Sequence, residues 1–292
     1  MNPAAALPGI AAALLLACAA SAEPAEPAEP AAPAAPAERI VTLSPHLAEL
    51  AYAAGAGDRL VGTVSWSDYP PAAAGLPRVG DAFRLDLETL AMLSPDLVLA
   101  WQGGNPDALL ETLAAQGYRV VALAPQSLDD IGEQLARIGQ LAGSEVVAEA
   151  AAARYRARLA ALREAQAGKR PVSVFYQVSR RPLYTVGGRQ LISEIIALCG
   201  GRNIFAELKA LAPAVGMEAV LARNPEVILA SDAQREELAA WRRWAGIAAV
   251  ERGNLFSVDG DLVARPSPRV LEGAAQVCAA LDRARDTAPP SP

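Results

Sequence analysis

Trp66 and Tyr69 bracket Asp68 in the segment VSWSDYPP, and Trp101 ends a separate apolar run that leads into Gln102-Gly103-Gly104-Asn105. Flat amphipathic rings grouped with a carboxylate suit non-covalent capture of a large planar or macrocyclic molecule. Loop packing competes as the explanation of any one ring, but three rings on strand-end loops favour binding. Tyr176 and Tyr184 fall in comparable places further along, whereas Trp241 and Trp244, flanking Arg242 and Arg243, read as core packing. Residues for making and breaking bonds are scarce. His46 is the only histidine, so neither a histidine-based triad nor a multi-histidine metal site can be assembled. No Walker loop, nucleophile elbow, zincin helix, CxxC pair or dinucleotide fingerprint occurs. The chain therefore reads as a binder rather than an enzyme, with no cofactor and no resident metal. His46, at the start of the first helix, is expected to hydrogen-bond the adjoining loop, with reach to a ligand as the alternative.

Two carboxylates are repeated. Glu88 lies in LETLAMLSPDLVLA and Glu218 in MEAVLARNPEVILA, each seven residues before a proline, Pro95 or Pro225. Each stretch predicts a short helix, a turn and a buried strand. A second echo aligns Tyr52-Ala53-Ala54-Gly55 with Ala197-Leu198-Cys199-Gly200. Two similar α/β lobes in tandem follow, with a cleft between them and one glutamate displayed at the same place on each.

The elements that position these residues alternate. Strands are predicted over 40–43, 60–64, 97–101 and 118–123, with helices opening at Ser44-Pro45 and covering 87–93 and 106–116. Serine as N-cap with proline at the first helical position is a favourable helix start. Residues 128–168 are almost wholly helix formers, interrupted at Gly143-Ser144, and the 145–167 part reads as a strut with apolar positions Val146, Val147, Ala150, Tyr155, Leu159 and Leu162. A helical strut resists hinge bending, so large clamshell closure is not expected. The second half repeats the order: strands 172–177, 227–230 and 254–258, helices 191–198 and 236–245, and a last helix after Pro268. Strands and helices alternating in this way build parallel sheets.

The 292-residue chain carries a net charge of −6, which gives nucleic acid no basic field to bind. Residues 1–22 read as an export signal, with an apolar run at 11–16 and a small-residue cleavage site at Ala20-Ser21-Ala22. Leu15-Leu16-Ala17-Cys18 resembles a lipoprotein box, so Cys18 is either removed with the signal or retained as a lipidated first residue. Residues 23–38 form an Ala/Glu/Pro spacer. The expected location is the periplasm, free or tethered by that lipid. Export leaves Cys199 and Cys278 together in an oxidising compartment, which favours a disulfide, with two unpaired buried thiols as the alternative.

The segments SPHLAELAYAAG, VSWSDYPP, LSPDLVLAWQGGN, ALCGGRNIF, EAVLARNP and RPSPR together strongly resemble the periplasmic vitamin B12-binding proteins. These belong to the helical-backbone (class III) substrate-binding proteins of ABC importers, and the resemblance spans residues 39–283. It implies an α/β fold of two Rossmann-like lobes with parallel sheets, 39–143 and 169–285, joined by a rigid 144–168 helix and followed by a 286–292 tail. It implies that cobalamin, or a related corrinoid such as cobinamide, sits between the lobes, and that Cys199 pairs with Cys278. Glu88 and Glu218 match the glutamates that dock onto the two permease subunits of the membrane permease/ATPase complex. The free chain is expected to be a monomer.

By the same resemblance, Trp66, Asp68, Tyr69, Trp101, Gly103, Gly104 and Arg265 stand in ligand-contact motifs, with Phe83 and Tyr184 completing the set. The chain also departs from the family. Further tryptophans are expected near Ala82, Ala212 and Leu262, and of these only the first has an aromatic stand-in, Phe83. A thinner aromatic wall points to weaker binding, a differently oriented corrinoid or cobinamide. The alternative is a haem or ferric-siderophore binder of the same fold, for which Arg180, Arg181 and Arg189 supply the cations an anionic complex needs.

Overall fold

A computed structural model of the chain describes residues 35–287; the expected signal, Cys18, most of the 23–38 spacer and the end of the tail lie outside them. The first half runs β1 (Ile40–Thr42), α1 (Pro45–Ala53), β2 (Leu60–Gly62), α2 (Pro71–Ala74), α3 (Leu87–Leu93), β3 (Leu97–Trp101), α4 (Asp107–Ala115), β4 (Val120–Leu123) and α5 (Asp130–Ala142). After α6 (Glu145–Gln166) come β5 (Val172–Gln177), β6 (Ser179–Arg180), β7 (Leu183–Tyr184), α7 (Leu191–Leu198), β8 (Gly201–Asn203) and α8 (Met217–Arg223). The chain then follows β9 (Val227–Ser231), α9 (Arg235–Ala239), α10 (Ala248–Glu251), β10 (Leu255–Val258), α11 (Gly260–Ala264) and α12 (Val270–Asp286).

Strands β3 and β9 are near-continuous apolar runs, as central strands of parallel sheets covered on both faces must be. The two four-stranded sheets have orders β2-β1-β3-β4 and β10-β9-β5-β8, all parallel. The duplication extends to single residues. Helices α3 and α8 both stop at a left-handed residue, Ser94 at φ 44° and Asn224 at φ 41°, directly before the paired prolines. Gly55 and Gly200, which end the second echo, both have positive φ, a conformation glycine adopts without steric cost.

Helix α6 has 22 residues, or about 33 Å at 1.5 Å per residue. Its buried face is Ala148, Ala151, Ala152, Tyr155 and Leu159. Val146, Val147 and Ala150, expected on that face, are exposed, and Val146 is 86 % so. At the first turns of that face the approach is close: a Cβ at Gly139 on α5 would lie 2.3 Å from the Ala148 methyl, so a small residue is needed there, and Tyr155 and Leu159 fill the face further along. One hydrophobic core runs from Ile40, Leu97 and Leu99 through Leu135, Ile138, Tyr155 and Leu159 to Val172, Val174 and Leu229, so the strut and both sheets share an interior.

Three local expectations change. The 236–245 helix is instead the short α9 followed by a 3-10 turn over Ala240–Arg243, with Trp241 buried and its Nε1 donating to Gln177 Oε1 at 2.7 Å. The β6–β7 hairpin and β8 were not predicted. Ser44 is the α1 N-cap by position, but its hydroxyl pairs with His46 Nδ1 at 2.6 Å rather than capping the helix. Cys199 and Cys278 form a disulfide between α12 and the end of α7. No helix among the described residues is long and apolar enough to cross a membrane.

Candidate functional site

The carboxyl ends of both sheets open on a cleft of about 770 Å³, the position where open α/β sheets place ligands. Trp101, Gln102 and Gly103 after β3 and Pro125 and Gln126 after β4 line the first-lobe side. Tyr176 and Val178, Arg189 and Gln190, Leu211 and Ala212, and Ser231 line the second.

Trp101 is held from three directions. Asn105, buried, accepts a hydrogen bond from the Trp101 amide at 2.7 Å and donates to the carbonyls of Leu43 at 3.0 Å and Ala82 at 2.9 Å. The indole lies against Gly104, where a Cβ would be 1.9 Å from Trp101 Cε3 and 2.1 Å from Cδ2. Gly103, at φ 82°, turns the chain so that this contact can form. His46 meets the ring edge-to-face with centroids 5.0 Å apart. The glycines flagged by sequence are thus supports for the ring, and Asn105, quoted only as part of the AW-x-GGN motif, is the residue that ties it to β1.

His46 is fully enclosed, and burial followed by the nearby Arg265 charge lowers its pKa to about 3. Its Nε2 has no hydrogen-bond partner among the described residues. The ring bonds the loop through Ser44 and does not line the cleft.

Asp68, Tyr69 and Arg265 are engaged with one another's lobes. Arg265 Nη1 donates to Asp68 Oδ1 at 2.7 Å and to Glu49 Oε1 at 3.1 Å, and Nη2 pairs with Asp261 at 3.0 Å. Glu49, buried on α1, also accepts from Ser267 Oγ at 2.6 Å and from Arg269 Nη1 at 3.5 Å. Arg269 in turn stacks 3.8 Å over the Tyr69 ring. This latch joins residues some two hundred positions apart. The Arg265 hydrogen bond holds the Asp68 carboxyl below its ordinary value. Burial pulls the Arg265 pKa down, but the hydrogen bonds it donates to Asp68 and Glu49 outweigh it and the net shift is upward. Glu49 carried no sequence motif of its own.

Trp66 and Phe83 stand 80 % and 70 % exposed on first-lobe loops, Trp66 at φ 67°. Tyr184, on β7, is also exposed. None of these three lines the cleft in the described structure. Of the positions where tryptophans were expected, Ala212 lines the cleft, Ala82 is half-buried and Leu262 is buried. Arg189 lines it too, whereas Arg180 and Arg181 do not. Glu88 and Glu218 are exposed in the first turns of α3 and α8. No group of three or more metal-capable side chains occurs among the described residues.

The chain matches the family model described as "Periplasmic binding protein" over residues 40–262. It is 38 % identical over 245 residues to the vitamin B12-binding protein of Vibrio cholerae serotype O1, covering 84 % of this chain and 89 % of that protein. Among solved structures, the periplasmic vitamin B12 binding protein BtuF of Vibrio cholerae superposes with a TM-score of 0.81 at 38 % identity, covering 86 % of this chain and 98 % of that one. The periplasmic heme-binding protein RhuT from Roseiflexus sp. RS-1 gives a TM-score of 0.76 at 26 % identity, covering 85 % and 99 %.

Proposed function

Because this chain belongs to the family of periplasmic binding proteins, we propose that it captures cobalamin or a closely related corrinoid in the interlobe cleft and hands it to an ABC importer. It is a binding protein rather than an enzyme, and its place is the periplasm. The observation that carries the ligand assignment is the chemistry of the cleft wall. Trp101 offers a flat face, and Gln102, Gln126 and Gln190 offer amides to a macrocycle rimmed by neutral amide arms. The resemblance to proteins named for vitamin B12 supports the same reading.

Haem fits this wall less well. It carries two carboxylates, and the cleft lining holds one cation, Arg189. Tyr176 is the cleft phenol that could meet an iron, and burial, with the Asp232 charge, raises its pKa and so adds to the cost of ionising it.

In this reading the exposed rings of Trp66, Tyr69, Phe83 and Tyr184 extend the aromatic surface offered to the ligand, while Asp68 and Arg265 keep the lobes in register. Glu88 and Glu218, on equivalent helices, present duplicated carboxylates to a two-fold permease. Mass spectrometry of the mature N-terminus distinguishes loss of Cys18 with the signal from its retention as a lipidated anchor behind the 23–38 spacer.

The test is tryptophan-fluorescence or calorimetric titration with cyanocobalamin, cobinamide and haemin side by side. Corrinoid binding is expected, weakened about tenfold or more by Trp101→Ala. Tight binding of haemin alone would overturn the assignment.

A further inference from the structure

Arg189 is the only charged side chain lining the cleft among the described residues. Other lining polar groups are neutral: three glutamines, a serine and a phenol. Arg265, the neighbouring cation, is already surrounded by Glu49, Asp68 and Asp261. Arg189 has no such partner among the described residues; it is exposed at the mouth of the wall, one position before the Gln190 cap of α7.

Its backbone is fixed. Gly187 and Gly188 press against the 206–210 segment so closely that a Cβ on either would lie 2.0 Å from a carbonyl oxygen, of Ala210 or Ala206. The Gln190 amide bonds the Gly187 carbonyl at 3.2 Å, and the Gln190 side chain accepts from the Ile192 amide. A guanidinium is thereby carried on a tightly packed turn, facing an otherwise uncharged ligand chamber. Such a site selects a large neutral molecule with a single anionic group, since Arg matches the geometry of phosphate and carboxylate oxygens.

We propose that Arg189 recognises the phosphodiester of the ligand's nucleotide arm, so that the cleft prefers complete cobalamin to cobinamide, which lacks that phosphate. This rests on the corrinoid reading and deepens it by naming the chemical group that sets specificity.

The experiment is a thermodynamic cycle on the purified protein, wild type against Arg189→Gln, each titrated calorimetrically with cyanocobalamin and with dicyanocobinamide. Both ligands are uncharged overall, so the comparison isolates the local anion. Arg189→Gln is expected to weaken cyanocobalamin about tenfold, the scale of one charge-assisted hydrogen bond to a solvated group, and to leave dicyanocobinamide unchanged. Arg189→Lys should keep most of the preference, and added salt should erode it in the wild type but not in Arg189→Gln. Melting temperature should not move, because the side chain has no partner to lose among the described residues. Equal weakening of both ligands, or of neither, would overturn the assignment of Arg189. Failure of the wild type to bind either corrinoid would instead overturn the corrinoid reading, and the Arg189 assignment with it.

Discussion

Acidification tests the burial of His46 directly. A histidine titrates near 6.5 when free and at about 3 in this fold. Between those values the unfolded chain takes up a proton that the folded chain refuses. The contribution to stability is therefore complete above about pH 6.5 and declines as pH falls toward 3. One pKa unit corresponds to about 1.4 kcal/mol, so two units below the free value, near pH 4.5, roughly 3 kcal/mol should be gone. The assay is urea unfolding of wild type and His46→Gln at several pH values from about 7.5 down to about 4.5. The variant loses the Ser44 hydrogen bond at every pH, which shifts its curve without changing its slope. Carboxyls held low by partners, such as Asp68, Asp129 and Asp282, lose their contributions mainly below this range and cancel in the comparison. The wild type should fall relative to the variant by about 3 kcal/mol across the window. Parallel stability curves, or an imidazole NMR titration centred near 6.5, would refute the reasoning.

Gly104→Ala should push the Trp101 ring off its seat, because the added methyl would sit 1.9 Å from Cε3. Changed indole emission, weaker corrinoid binding and about 1–3 kcal/mol of lost stability are expected; unaltered emission and affinity would show that the ring is not seated there. Replacing both Cys199 and Cys278 by Ser opens a loop of 79 residues and should cost about 4–5 kcal/mol by the loop-entropy relation, read by denaturant midpoint, whereas a loss under about 1 kcal/mol would mean that the bridge constrains little of the unfolded chain. Glu88→Ala with Glu218→Ala should leave corrinoid affinity unchanged and abolish uptake in vesicles carrying the importer; surviving uptake would place docking elsewhere.

Sequence reading succeeded where local chemistry marks boundaries. Helix α3, strand β3, strand β5 and helix α7 were predicted at their observed limits, because each is an apolar run next to proline or glycine. It failed where tertiary packing decides. The Ala face of α6 was passed over for bulkier Val146 and Val147, since the tight α5 seam is not visible in one helix's periodicity. The 236–245 stretch has helix formers throughout, yet Trp241 turns inward to reach Gln177 and the regular helix breaks. The β6–β7 hairpin is too short to show alternation. In the site, Trp101 and its glycines were legible from one motif. Glu49 was not, because its partners Arg265 and Ser267 lie more than two hundred residues away. Arg189 was visible only as one of three arginines, and the topology alone singles it out.

The unbroken interior through α6 also bears on traffic at the membrane. Lobes that share a core and are latched by Glu49 to Arg265 resist a change of spacing when the cleft fills. In the docking role proposed for them, Glu88 and Glu218 then offer a permease the same footprint in either state. On that proposal unloaded copies compete for the docking platform, so uptake should rise with receptor abundance only until ligand runs short, and fall with every further copy made.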